Sequence, residues 1–237
     1  MTETAPRRFY KRASACSIEA GGACVKLDER TLRTPAGAEF RAPTLALAQA
    51  CAEEWNAQGE HIIPASMPVT QLAFAALDWT AKSRDKIVEY VTAFGETDLC
   101  CHRADAPADL VSRQAAAWDP LIAWGADALG ARLAVVTGVI AAPANASALA
   151  ALKSRANRLD DFRLTALSQA AGLAGSALIA FALLEGRLGA EAAFAASALD
   201  NLYALEKWGE DAEARQQLER LRHDLLALER FVRALSA

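Results

Sequence analysis

The chain has 237 residues, of which 53% are hydrophobic and 23% charged, and its net charge is −4. This length suffices for one large domain or two small ones, and the composition excludes an intrinsically disordered protein. The acidic balance argues against nucleic acid or an anionic membrane as the main partner. The apolar stretch at 173–184 is too short to cross a bilayer, so no membrane insertion is expected.

The N-terminal residues 8–42 are predicted to form about four or five short strands. Gly21-Gly22 is a hairpin signal, and a second turn is expected at 28–30. Further strands are predicted at 32–34 and 39–41. Such a small sheet is not stable by itself, because one of its faces has to be covered.

The next helices are predicted to provide this cover. Thr44 is an N-cap candidate, apolar residues follow it at helical spacing, and Gly59 is expected to end the helix. Pro68 suits the first turn of a second helix, and a third is predicted at about 83–94. Residues 97–103 lack a helical period and are predicted to be extended.

From about residue 106 onward the chain is predicted to be helical. A helix that begins at Pro107 is expected to end at Trp118, because Asp119 and Pro120 are typical of the cap and first turn of a new helix. The β-branched segment 132–139 predicts a strand or an extended connector.

Four more helices are predicted in the C-terminal half, separated by glycines. The last has apolar residues at alternating spacings of three and four, which favours packing against neighbouring helices over a coiled-coil dimer. These helices are expected at 147–171, 173–187, 190–207 and 211–235.

Together these patterns predict an α+β protein. A small N-terminal β-rich domain with its covering helix is expected at 1–67, followed by a larger all-helical domain, similar to an orthogonal bundle, at 68–237. No low-complexity linker separates the two, so the border is soft and lies between 67 and 106.

The cysteines are odd in number and two of them are adjacent. This pattern, in a chain that does not open with a secretory signal, predicts reduced thiols in a cytosol. A structural zinc site needs two ligand pairs, and Cys100-Cys101 with His102 has no second pair, so no metal is expected. The five are Cys16, Cys24, Cys51, Cys100 and Cys101.

Catalytic motifs are missing from the sequence. It has no Gly-rich phosphate loop and no Gly-x-Ser-x-Gly elbow, so neither a cofactor nor a small-molecule substrate is expected. Acid pairs such as Glu53-Glu54 are expected on solvated helix faces. Asp98 and Arg103 flank the cysteine pair, and a structural ion pair between them is expected to hold this loop.

Four of the five tryptophans lie beside an acid or a glycine–acid pair. Trp55, Trp118 and Trp124 are predicted to be core anchors at helix joints, because a buried indole contributes a large apolar surface. Arg113 and Gln114 share one helical face with Trp118, which is predicted to carry polar contacts between helices.

The segment from Trp208 to Glu213 is predicted to be a break between two helices. Gly209 is expected in the left-handed conformation, Glu210 or Asp211 is expected to cap the next helix, and Glu213 suits its first turn. One interpretation is a well-capped corner. The other is an exposed acidic corner with an aromatic anchor, which is typical of a protein-binding hot spot.

Seven motifs, in order along residues 8–214, resemble the ATP12 family, the assembly chaperones of the F1 part of ATP synthase. Three positions depart from the family pattern: Glu29, His102 and Asn201. The motifs are Arg8-Phe9-Tyr10-Lys11, the 27–35 turn with Asp28, Arg30 and Pro35, Glu54-Trp55 with Gln58, Pro64-x-x-Met67-Pro68-x-Thr70, Thr97-Asp98 with Arg103-Ala104, Gln114-x-x-x-Trp118-Asp119-Pro120-Leu121-x-x-Trp124, and Trp208-Gly209-Glu210-Asp211-x-Glu213-Ala214.

The resemblance implies a chaperone that binds the free F1 α subunit and shields the surface that later faces β. It implies no catalysis, and the absence of a transit segment fits a bacterial cytoplasmic member. Our hypothesis for the partner-binding residues is Trp208, Glu210, Asp211 and Glu213. Two alternatives remain, a helical scaffold for a different partner and an enzyme with a cryptic site.

Overall fold

A computed structural model describes residues 6–138, 143, 145–209 and 211–236. Near its N-terminus lies an antiparallel sheet in the order β1 (Ala13–Ser17), β2 (Ala23–Leu27) and β3 (Arg30–Thr31). Gly21 and Gly22 form the turn between β1 and β2 with φ of +94° and +79°, as the hairpin signal predicts.

The sheet continues beyond β3 as isolated bridges. Arg33 pairs with Glu39, and Ala42 pairs with Ala23 of β2, so the predicted strands at 32–34 and 39–41 occur as bridges. A Cβ on Gly22 would lie 2.7 Å from the backbone oxygen of Ala42, so this close approach requires glycine.

Helix α1 (Leu45–Asn56) covers the sheet, as predicted. Thr44 caps it by accepting a hydrogen bond from the backbone nitrogen of Leu47 at 3.1 Å. The expectation for Gly59 is wrong, since α1 ends earlier at Ala57 in the right-handed conformation. The buried side chain of Gln58 donates to the backbone oxygen of Glu54 at 3.0 Å, which satisfies a carbonyl that a glycine cap would otherwise serve.

The second and third helices are joined rather than separate. Helix α2 (Pro68–Ala75) continues through a π-helical turn (Ala76–Thr80) into α3 (Ala81–Ala93). The next segment is a 3₁₀ turn at Leu99–Cys101 instead of the extended chain that we expected there.

Two short strands follow at the edge of the helical part. Strand β4 (His102–Arg103) pairs in parallel with β5 (Val136–Thr137), which lies inside the predicted connector at 132–139. Residues 139–142 of that connector and the loop after it lie outside the described residues.

Helix α4 (Ala108–Trp124) passes through Pro120 without a break. The predicted restart at Asp119-Pro120 is therefore wrong. Trp118 and Leu121 are buried on either side of Pro120 in the sequence, and this packing holds the helix together. The proline itself is exposed, where the loss of one backbone donor is tolerated more easily.

The C-terminal half is helical, with two more breaks than the sequence predicted. Asp160 accepts from the backbone nitrogen of Arg163 at 2.9 Å and starts a new helix within the predicted 147–171. Ala198 divides the predicted 190–207. The helices are α5 (Ala146–Asn157), α6 (Asp161–Ala174), α7 (Ala177–Leu184), α8 (Ala190–Ser197), α9 (Leu199–Trp208) and α10 (Ala212–Leu235).

Helix α10 packs within the chain, as its apolar pattern favours. It contacts α1, α2, α6 and α8, and buries Leu218, Leu225 and Leu228. One hydrophobic cluster extends from the sheet through α1 into these helices. The predicted domain border after residue 67 stays a prediction. Among the described residues, no helix is both long and apolar enough to cross a membrane.

The expectation of reduced thiols is wrong for two cysteines. Register places Cys16 directly opposite Cys24 on β1 and β2, and a disulfide joins them. Cys51, Cys100 and Cys101 are free and buried. Burial raises the thiol pKa of Cys51 and of Cys101 to about 12, so these groups are protonated small hydrophobes.

Candidate functional site: the α4–α9 face and the α9–α10 corner

Trp118 lies at the centre of the helical part and is fully buried. Its indole Nε1 donates to the backbone oxygen of Ala196 at 2.9 Å, which ties α4 to α8. The guanidinium of Arg103 lies 5.3 Å from the ring centroid. Trp118 therefore holds two helices and one loop together.

The expected ion pair between Asp98 and Arg103 is wrong, because each side chain has other partners. Arg103 contacts Asp119 Oδ1 at 2.7 Å and also donates to the backbone oxygen of Cys100. Asp98 accepts from Ser176 Oγ at 2.7 Å and from the backbone nitrogen of Leu178 at 3.1 Å, at the start of α7. Burial raises the pKa of Asp98, against the lowering effect of these hydrogen bonds.

Helix α4 runs antiparallel to α8 and α9, and we call the shared surface the α4–α9 face. A ladder of contacts defines it, from the C-terminal end of α4 to its N-terminal end. The pairs are Arg187 over Trp124 at 5.9 Å, Trp118 with Ala196 at 2.9 Å, Gln114 with Asp200 at 2.8 Å, Arg113 with Glu206 at 2.6 Å, and Asp109 with Tyr203 at 2.7 Å.

Asp109 is the most strongly perturbed exposed acid of this face. It accepts from the Tyr203 hydroxyl at 2.7 Å and lies 2.9 Å from Lys207 Nζ. These hydrogen bonds, that of Tyr203 first, lower the pKa of Asp109 to about 2. The same contact, together with partial burial, raises the pKa of Tyr203. The cluster anchors α9, which buries only Tyr203 among its residues.

The α9–α10 corner, residues 208–213, projects from this face. Trp208 is 81% exposed at the end of α9. Gly209 has φ of +97° but an extended ψ, so it is not in the left-handed helical conformation expected for it. Asp211 caps α10 by accepting from the backbone nitrogen of Glu213 at 2.9 Å. Glu210, also predicted here, lies outside the described residues.

A shallow depression surrounds Trp208. Its walls combine apolar groups with carboxylates, which is the composition of a binding patch with a polar rim. The lining residues are Asp200, Asn201, Ala204, Leu205, Trp208, Gly209, Asp211 and Ala214. The structure thus brings Trp208 and Asp211 together at one exposed site, while Trp55, Asp98, Arg103 and Trp118 lie elsewhere in structural contacts.

Two groups of residues were missed by sequence reasoning. Glu54 was expected on a solvated face, but it is 6% exposed and accepts from the backbone nitrogens of Val69 and Thr70 at the start of α2. The Asp109–Tyr203 pair had no local signal, because 94 residues separate its members. For Arg113 and Gln114 the predicted polar contacts between helices are confirmed.

The sequence matches the family described as ATP12 chaperone protein over residues 7–126. The chain belongs to the ATP12 chaperone family. The match ends within the π-helical turn after α4, so it includes the sheet and α4 but not the α9–α10 corner.

Relatives of known structure extend the similarity over almost the whole chain. The crystal structure of Atp12 from Paracoccus denitrificans is 41% identical, with a TM-score of 0.91, over 97% of this chain and 98% of that one. An aspartate-to-lysine mutant of the same protein gives 40% identity and the same TM-score with the same coverage. A putative chaperone from Agrobacterium tumefaciens is 38% identical, with a TM-score of 0.90, over 97% of this chain and 86% of that one.

The yeast relative is more distant. Protein atp12, mitochondrial, from Schizosaccharomyces pombe is 26% identical over 220 residues, which is 87% of this chain and 75% of the relative. These ATP12-family structures confirm the α+β fold, with a small N-terminal sheet and a larger helical part. As a member of the family, the protein is an ATP synthase assembly chaperone and not an enzyme.

Proposed function

We propose that this ATP12-family chaperone binds the free F1 α subunit before that subunit pairs with β. An assembly chaperone has to cover an apolar surface of its client and later release it. The observation that supports this is Trp208, an exposed aromatic side chain with carboxylates around it on a projecting corner. Tryptophan is enriched among residues that dominate binding energy at protein interfaces.

We assign the α9–α10 corner as the contact with the client. The corner buries little of its own surface, so few internal contacts compete with a partner there. Asp211 and Glu213, together with Glu210, supply negative charge beside the indole, and such a rim speeds encounter with a positively charged surface. The site of action that we propose is the bacterial cytoplasm, on the similarity to the Paracoccus and Agrobacterium proteins.

Capture of purified subunits tests the proposed function. The immobilised chaperone is incubated separately with free F1 α and free F1 β, and capture of α but not β is expected. Equal capture of both subunits would contradict the assignment of α. Capture of neither would favour a scaffold for a different partner.

Charge reversal tests the assigned surface. Replacing Glu210, Asp211 and Glu213 by lysine is expected to reduce capture of F1 α at least tenfold. The matched control reverses Glu19, Glu29 and Asp85, which are exposed acids far from the corner in sequence. Unchanged capture by the first variant, with a thermal melt that shows normal folding, would contradict the assignment.

A further inference from the structure

A second apolar surface adjoins the α9–α10 corner. It is a groove between α4 and α8, which we call the α8 groove. Its floor includes Leu121 and Leu188, and small side chains on α8 leave it open. Ala192 and Ala195 are both exposed there, although alanine on a helix packed this closely is normally covered.

The α8 groove is continuous with the depression around Trp208. Leu199 lines the groove, and its neighbour Asp200 lines the depression. Both lie along the same antiparallel α4, whose 17 residues span about 25 Å at 1.5 Å per residue. A client segment of that length would contact α8 and Trp208 together.

The two ends of this surface carry opposite charge. Arg187 lies at the α8 end, before the first turn of α8. Asp200 and Asp211 lie at the Trp208 end, and neither forms an ion pair with another residue of the described chain. The nearest cations do not neutralise them, because Lys207 contacts Asp109 and Arg113 contacts Glu206.

We propose that the α8 groove and the Trp208 depression together bind one apolar segment of the F1 α subunit in a fixed direction. The end of that segment at Trp208 carries an arginine or lysine, and the end at Arg187 carries an acidic residue. The basic side chain contacts the indole face and the two free carboxylates, a combination of cation–π contact and ion pairing. This inference rests on the proposed function and adds a second surface and a polarity to it.

A bulky residue in the groove tests the surface. Ala195→Trp is expected to weaken the binding of purified F1 α at least tenfold, measured by titration calorimetry. The control is Ala150→Trp, which adds the same side chain to an exposed position of α5. If Ala195→Trp binds F1 α like the wild type, the groove is not used and this inference fails, while the proposed function stands.

Charge removal tests the direction. Asp200→Asn with Asp211→Asn removes two charges, and asparagine keeps both the cap of α10 and an acceptor for Gln114. Overlapping peptides of the F1 α sequence are measured against wild type and this variant. Peptides with a basic residue at one end of an apolar run are expected to bind, and to lose at least tenfold in affinity to the variant.

Three other outcomes overturn the proposal. Binding peptides that lack a basic end would contradict the polarity. Peptides that bind equally well to wild type and variant would contradict the role of the two carboxylates. Self-association of the chaperone that Ala195→Trp abolishes, with F1 α binding intact, would assign the groove to a second copy of this chain.

Discussion

The indole nitrogen of Trp118 donates to the backbone oxygen of Ala196 at 2.9 Å, and this bond links the middle of α4 to the last turn of α8. It lies between two groups of contacts along the same helix pair. On one side Arg187 lies over Trp124, and on the other Gln114 contacts Asp200. The α8 groove and the Trp208 depression depend on the alignment that this bond maintains.

Loss of the Trp118 side chain is expected to destabilise the protein strongly. Trp118→Ala removes a fully buried aromatic group and leaves the backbone oxygen of Ala196 without its donor, which costs roughly 3–5 kcal/mol of unfolding free energy. Chemical denaturation measures this difference. Trp208→Ala is the control, since an exposed side chain is expected to change stability by less than about 0.5 kcal/mol. Equal melting of wild type and Trp118→Ala would refute the structural role.

The neighbouring acids Glu53 and Glu54 are expected to behave differently. Glu54→Ala leaves the buried donors of Val69 and Thr70 unsatisfied, which costs about 1–3 kcal/mol. Glu53→Ala removes only an exposed ion pair with Arg230, worth about 0–1 kcal/mol. Denaturant titration of both variants gives the comparison, and a larger loss for Glu53→Ala would refute the buried cap of α2.

Tyr203→Phe is expected to raise the pKa of Asp109 from about 2 toward the ordinary value of 3.8, because the Tyr203 hydroxyl is the main cause of the shift. Since the folded pKa lies below the unfolded one, Asp109 stabilises the fold above about pH 4. That contribution is lost as the pH falls toward 2, and the variant narrows this window. Carboxyl carbon NMR measures the pKa. Tyr90→Phe, on another helix, is the control and should leave Asp109 unchanged.

The thiols are expected to divide into two bonded and three buried ones. Alkylation in denaturant without reductant, followed by mass spectrometry, is expected to add three labels, and five after reduction. The native protein should react slowly, because only the thiolate is nucleophilic and burial raises the pKa of Cys51 to about 12. Five labels without reductant would show that Cys16 and Cys24 are reduced.

Much of the fold was predictable from local patterns. The turn at Gly21 and Gly22, the cap at Thr44 and the helix start at Pro68 depend on nearby residues, and all three predictions are confirmed. The exposed Trp208 with Asp211 at a helix break was predicted for the same reason.

The errors arise where packing outweighs a local signal. Asp119 and Pro120 look like a helix start, but the burial of Trp118 and Leu121 keeps α4 continuous. Glu54 looks like a surface acid, but the start of α2 lies against it and supplies hydrogen bonds that offset its burial.

The sequence by itself determined the α+β class, most helix starts and the family, because these depend on residue type and short spacing. Only the tertiary structure decided which distant residues meet. The Cys16–Cys24 bond requires the register of two strands, and the Asp109–Tyr203 contact requires α4 to run antiparallel to α9. The α8 groove likewise exists only because small side chains of α8 face α4, and no spacing along the chain encodes that distance.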